Sequence, residues 1–312
     1  MKIHLLPRLG AILFLIGAIP SLSQACTIPV FRYALERWQA SPYDLLVYHR
    51  GPMSMEDRQR LRELEAFAEN ANLEVTEVDL DQKNGKELQT IWEKHGGKNP
   101  LPWVIIRAPE SDSKTPPVYA GPLDLAKLKP LIDSPMRQKI VRKLHAGNSA
   151  IFLLLESGDK KADAEALQLL EAHLPKMEQL IQLPVLSREG PQLRSEIPLL
   201  VSFPILRMTR DQAEEAGFIE SLLRCEDDLD KVKGPIVFTV FGRGRVLTAL
   251  HGKDLKSTEL EAVGRFLCGA CSCQVKELNP GMDLLFRTRW EALLDVELAP
   301  QPRIVNSTPD KR

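Results

Sequence analysis

Three cysteines near the carboxyl end of the chain, in the segment CGACSC, are the residues best suited to chemistry. Cys268, Cys271 and Cys273 follow the spacing C-x-x-C-x-C. Thiols at this spacing can exchange disulfides, or can chelate Cu or Zn with Cys26 or a histidine as a further ligand. In an exported protein a structural disulfide is the favoured interpretation, and soft-metal binding and a labile redox disulfide are the alternatives.

The amino terminus has the features of an export signal. Positive charges at Lys2 and Arg8 precede an uncharged apolar run from Leu9 to Ile19, and small residues follow. These features predict a signal peptide over residues 1–25, with Cys26 as the first mature residue. Cys26 then has two fates, a lipid anchor in the bacterial cell envelope or a disulfide in the periplasm. We therefore expect an exported protein, either periplasmic or lipid-anchored.

Composition places few restrictions on function. The 312 residues are 44% hydrophobic and 27% charged, and the formal net charge is −1. A charge so close to zero gives no reason to expect nucleic acid as a partner, and we expect membrane contact only through a lipid on Cys26. The length after residue 25 is enough for two domains. The proline-bearing end from Ala299 to Arg312 is expected to be a disordered tail within a carboxyl-terminal extension, residues 276–312.

Helix and strand patterns alternate through the first half of the mature chain. A helical segment, residues 26–40, precedes a predicted domain at residues 41–145 in the order strand, helix, strand, helix, strand, strand, helix. A crossover helix makes the first two strands parallel, and the polar turn between the last two predicts an antiparallel hairpin. Pro102 stands immediately before the third strand.

Residues 146–275 repeat this order. The segment GPIVFTVFGRGRVLTALHG, beginning at Gly234, resembles the proline-led hairpin of thioredoxins, and a capping box at Thr258 and Glu261 starts the last helix. We therefore predict an α/β fold with two tandem thioredoxin-like domains, each a mixed sheet with helices on both faces, joined near residues 134–148. The resemblance implies a cis-proline at Pro102 and at Pro235.

The segments CTIPVFRYALERW and CSCQVKELNPGMDLL extend the resemblance to a family of exported bacterial proteins with two thioredoxin-like domains that lack the CxxC active site. This resemblance implies no activity. In a redox thioredoxin the two thiols lie between the first strand and the first helix, where the helix amino terminus stabilises the thiolate. The corresponding segments here are HRGPMS and ESGDKK, which contain no cysteine.

The sequence thus predicts a non-catalytic protein with no cofactor, which presents its loops and sheet edges to a protein partner. No catalytic residue is assigned, and Cys268, Cys271 and Cys273 remain a candidate thiol cluster only. His49 and Arg50 occupy the place of the missing active site, where a solvated loop is expected rather than a ligand site. The alternative function is a thiol or soft-metal protein built on the cluster.

Overall fold

A computed structural model describes residues 27–188, 190–272 and 274–294. It contains two mixed sheets, of four and five strands, with helices packed on them. The α/β prediction is confirmed. The predicted signal peptide, Cys26, Cys273 and the predicted tail lie outside the described residues.

The first sheet has the strand order β2-β1-β3-β4. Its strands are β1 (Tyr43–His49), β2 (Leu73–Asp79), β3 (Trp103–Arg107) and β4 (Tyr119–Pro122). Strand β1 runs parallel to β2 and antiparallel to β3, and β3 runs antiparallel to β4. The side chains of β1 point alternately to the two faces of the sheet, and both faces are buried. Leu45 and Val47 join one apolar cluster, and Leu46 and Tyr48 join another.

Three helices cover the first sheet, and their starts follow from local sequence. They are α2 (Met55–Ala68), α3 (Lys86–His95) and α4 (Leu125–Ile132); a shorter helix, α1 (Val30–Arg37), precedes β1. Ser54 caps α2, because its hydroxyl accepts a hydrogen bond from the Asp57 amide at 3.0 Å. Asp124 caps α4 in the same way through the Ala126 amide. Each side chain satisfies an amide that the helix itself leaves unpaired.

The second sheet repeats the arrangement of the first and adds a strand. Its order is β6-β5-β7-β8-β9, formed by β5 (Ile151–Glu156), β6 (Ile205–Thr209), β7 (Ile236–Phe241), β8 (Arg245–His251) and β9 (Met282–Asp283). Strands β5 and β6 are parallel, and β7 and β8 follow antiparallel. Alternate residues of β5 again enter two different apolar clusters, so both faces of this sheet are buried as well.

Helices of the second half are α6 (Lys160–Leu180), α7 (Ala216–Leu223) and α8 (Ser257–Cys268), and α9 (Trp290–Leu294) closes the described chain. A long stretch without helix or strand connects α6 to β6. This stretch is held against α1, whose Arg32 donates to the carbonyls of Ser195 and Ile197 at 3.1 and 2.5 Å. Helix α1 therefore packs with the second half, although it precedes the first in sequence.

The segment that joins the two halves, near residues 134–148, contains a helix, α5 (Pro135–His145). Ser134 caps it and Pro135 occupies its first turn, which are both normal helix-start residues. On α5 the guanidinium of Arg137 is buried over the Phe218 ring at 4.6 Å and donates to the Leu285 carbonyl at 2.9 Å. Strong burial on one face makes this connection part of the core.

The carboxyl-terminal segment also belongs to the core as far as it is described. Strand β9 pairs with β8, and the following residues Leu284, Leu285 and Phe286 are buried. The Phe286 carbonyl accepts a hydrogen bond from the Asn72 amide at 3.2 Å, which links this segment to the first half. The predicted extension beginning at residue 276 thus bridges the two halves.

The two predicted cis-prolines differ in the structure. The peptide bond between Leu101 and Pro102 is cis, as the resemblance implied. The bond between Gly234 and Pro235 is trans, so the prediction for Pro235 is wrong. An X-Pro bond prefers trans by about 0.5–1 kcal/mol, and only its tertiary surroundings can select the cis form. The residues next to Pro235 in the sequence do not show what those surroundings are.

Candidate functional site

The loop after β1 joins this strand to α2, and it corresponds to the segment in which a redox thioredoxin holds its two thiols. Because Tyr48 lies opposite Trp103 in the register, His49 and the loop that follows it lie beside Pro102. His49 is nearly buried, and its Nδ1 lies 2.8 Å from the Gly51 carbonyl oxygen. A carbonyl can only accept, so Nδ1 carries the proton in this contact.

The charged side chains around this loop already have hydrogen-bond or ion-pair partners. The Asp79 carboxylate accepts from the amides of Asp81 and Gly51, both at 3.0 Å, and these hydrogen bonds lower its pKa. Arg50 pairs with Asp81 at 2.6 Å on the exposed side. These local contacts are sufficient to hold the loop in its conformation. Residues 50–54 of the loop include no thiol or other strong nucleophile.

The equivalent turn of the second half, after β5, is also closed by its own side chains. Asp163 accepts from the amides of Ser157 and Gly158 at 2.8 and 2.9 Å. Asp159 caps α6 through the amides of Lys161 and Ala162. The amides that could stabilise a thiolate or another anion at this helix start already have carboxylate partners.

Cys268 and Cys271 lie in one buried cluster with the amino-terminal segment. Cys268 ends α8 and is 1% exposed, and burial raises its pKa to about 11, opposed by a hydrogen bond with Ser149. Cys271 donates its amide to the Ile28 carbonyl at 2.9 Å, and Pro29 lies antiparallel to Ala270. The other two cysteines of the prediction, Cys26 and Cys273, lie outside the described residues. The described residues that follow Cys26 and those that precede Cys273 therefore lie next to each other.

The metal alternative needs ligands beyond the two described cysteines of the cluster. Among the described residues, no group of three or more histidine, cysteine, aspartate or glutamate side chains is arranged to hold a metal ion. Cys268 is packed among apolar side chains, which suits a neutral thiol better than a thiolate ligand. Cu or Zn binding stays a prediction that the described residues do not strengthen.

We expect Cys268 to resist alkylation in the folded protein. Raising a thiol pKa from 9 to about 11 lowers its thiolate fraction near neutral pH by about a hundredfold, and burial also blocks the reagent. Peptide mapping after iodoacetamide treatment, with and without guanidinium, measures this directly. Labelling of Cys268 in the folded protein at the rate of the unfolded chain would contradict the structure.

A cleft of about 850 Å³ lies between the two halves of the chain. One wall is the stretch from Ala108 to Val118 between β3 and β4, and the other includes α7 and the turn that follows it. Apolar side chains of Val118, Ile219, Leu223 and Met282 contribute to its lining. Arg224 connects the two walls, because it donates to the Pro116 carbonyl at 3.1 Å. Pockets between domains are frequent binding sites.

The charged side chains that line the cleft are predominantly acidic. It includes six carboxylates and only two cationic side chains: Glu110, Glu220, Glu226, Asp227, Asp228 and Asp230, with Arg210 and Arg224. Sequence reasoning missed this site, because its walls come from segments about a hundred residues apart. The run CEDDLDK was the one local signal that could have indicated an acidic surface.

The chain matches no protein-family model and no curated protein. Among the helices of the described residues, none is long and apolar enough to cross a membrane.

Proposed function

We propose that this is an exported protein of two thioredoxin-like units that binds a protein partner and does not catalyse dithiol exchange. The common strand order and strand directions of the two sheets support the thioredoxin-like assignment. The signal-like residues 1–25 support export to the periplasm or the cell envelope. A protein anchored to the membrane through a lipid on Cys26 is the alternative to a free periplasmic protein.

The observation that carries the proposal is the chemistry of the two strand–helix turns. Dithiol exchange needs a thiolate at the amino-terminal end of a helix, where the helix dipole stabilises negative charge. In both turns a backbone amide instead donates to a carboxylate, Gly51 to Asp79 of β2 and Ser157 to Asp163 of α6. Cys268 lies at the opposite, carboxyl-terminal end of α8 and is buried. Its position disfavours a thiolate for two separate reasons.

A gain-of-function experiment tests both parts of this proposal. We expect the mature protein to reduce a disulfide-bonded substrate such as insulin no faster than dithiothreitol alone. Replacing Arg50→Cys and Met53→Cys places two cysteines around Gly51 and Pro52 just before α2, in the position that a thioredoxin-like unit uses for exchange. This double variant should accelerate the reduction by about tenfold or more.

The matched control replaces the same two residues with serine and should remain inactive. If the unaltered protein accelerates the reduction, the non-catalytic proposal is wrong. The alternative function, a thiol protein built on the cysteine cluster, is then favoured. If the double cysteine variant folds but stays inactive, the thioredoxin-like assignment of the first half loses its support. Circular dichroism and a thiol count establish that the variant is folded and that both new thiols are accessible.

A further inference from the structure

We propose that the acidic cleft between the two halves binds a basic segment of the protein partner, with an apolar side chain of that segment against the cleft floor. This inference depends on the proposed function for the claim that the partner is a protein. It adds the place of binding and the chemistry of the segment that binds.

The floor of the cleft provides an apolar contact at the junction of both halves. Ile219 and Leu223 lie one turn apart on α7, and Val118 faces the cleft from the first half. Val118 and Ile219 are only 8% and 6% exposed, so the half-buried Leu223 and Met282 would provide the apolar surface that an entering side chain removes from water, at about 25 cal/mol for each Å². The volume of about 850 Å³ is in the range that holds several residues of a peptide.

The six carboxylates of the cleft lining, which we call its rim, differ in whether they are already paired. Glu220 pairs with Arg224 at 2.6 Å, and Asp228 pairs with Lys231 at 2.5 Å. By contrast Glu110, Asp227 and Asp230 make no ion pair with any described residue. These three exposed carboxylates leave a negative field around the cleft that a cationic segment would neutralise.

The spacing of these carboxylates favours an extended cationic segment over a single metal ion. No group of three potential ligands in the described part of the chain is close enough to hold a metal. Lysine and arginine side chains reach several Ångströms from a peptide backbone, so a row of them can meet dispersed carboxylates one at a time. An acidic segment or a nucleic acid backbone would be repelled by the same rim.

Selection from a phage-displayed library of random short peptides, on the immobilised mature protein at low salt, tests the proposal. We expect selected peptides to have net positive charge with at least one large apolar residue. The affinity of a selected peptide should fall about fivefold in the variant Asp227→Asn/Asp230→Asn, and in high salt. The matched variant Glu65→Gln/Glu171→Gln, which removes two exposed carboxylates outside the cleft lining, should change it by less than about twofold.

A second pair of variants tests the place of binding without changing charge. Ala216 is exposed and lines the cleft, whereas Ala164 is exposed on α6. Ala216→Trp should obstruct the cleft and weaken the peptide by about tenfold, and Ala164→Trp should leave it unchanged. Both substitutions add the same side chain to a solvent-facing helix position, so a general effect on folding would appear in both.

The outcomes separate this inference from the proposed function. If the selected peptides are neutral or acidic but Ala216→Trp still removes binding, the cleft is the binding site and the charge assignment is overturned. If peptides bind but none of the cleft variants matters, the cleft is overturned while protein binding survives. If no peptide is enriched from the library, both the inference and the protein-binding proposal lose their support.

Discussion

Replacing Glu36 with alanine is expected to lower the free energy of unfolding by about 3–5 kcal/mol. Glu36 and Arg32 lie one turn apart on α1, and each is 0% exposed. Their charged groups approach to 2.8 Å. Without the carboxylate, the Arg32 guanidinium would stay buried without its counter-charge, which is much more costly than losing an exposed ion pair.

The pair also fixes the irregular stretch between α6 and β6. The Glu36 carboxylate accepts from the Arg194 amide at 2.8 Å, and from the amide and hydroxyl of Ser195 at 3.2 and 2.9 Å. Burial lowers the pKa of Arg32, and Glu36 opposes that shift. The alanine variant would therefore lose the charge partner and leave three donors of the neighbouring stretch without their acceptor.

Denaturant unfolding of three variants measures this effect. Glu36→Ala and Arg32→Met should each be strongly destabilised, and the double variant Arg32→Met/Glu36→Leu should be less unstable than the sum of the two. The exposed pair of Arg265 and Glu261, also one helical turn apart, offers a matched control. Glu261→Ala should cost no more than about 0.5 kcal/mol. A Glu36→Ala cost as small as that of Glu261→Ala would show that the pair is not buried in solution.

Local patterns in the sequence were sufficient to predict most elements of the first half. The alternation of helix and strand patterns predicted the order of the elements from β1 to α4. The predicted parallel first pair and antiparallel last pair of strands are confirmed. These features depend on neighbours within a few residues, which is the range that periodicity and capping report.

Features that depend on distant segments were not predictable in the same way. In α1 the two charged residues Arg32 and Glu36, one turn apart, suggest a solvated helix face. They are buried because the stretch around Ser195 folds over that face. Likewise Leu284 to Phe286 are too short a run to predict that they join the core. The acidic cleft combines both limitations, since its floor and its rim come from separate parts of the chain.

Replacing Asp283 with asparagine is expected to destabilise the protein by about 3 kcal/mol near neutral pH. Asp283 is 5% exposed on β9, where it accepts from Arg245 at 3.0 Å and from Lys276 at 2.8 Å. Its second oxygen also accepts from the Ser41 amide at 2.8 Å. An asparagine would keep the shape of the side chain but leave two cations without a negative partner in a buried site.

The destabilisation should depend on pH with a defined sign. Burial alone would raise the pKa of Asp283, but Lys276, the Ser41 amide and Arg245 together hold it below its ordinary value of 3.8. As the pH falls below that value, the unfolded chain binds this proton before the folded protein does. The stability that Asp283 provides is thus fully present above about pH 4 and is lost as the pH falls through its lowered pKa.

Urea unfolding at a series of pH values, for the unaltered protein and for Asp283→Asn, isolates this contribution. The stability difference between the two should be constant from about pH 7 to about pH 5, and should shrink steadily below about pH 4. Asp81→Asn, which removes the exposed partner of Arg50, is the control and should cost less than about 1 kcal/mol. A difference that stays constant down to the lowest pH at which both proteins fold would mean that Asp283 does not carry the charge that joins β9, Lys276 and Ser41.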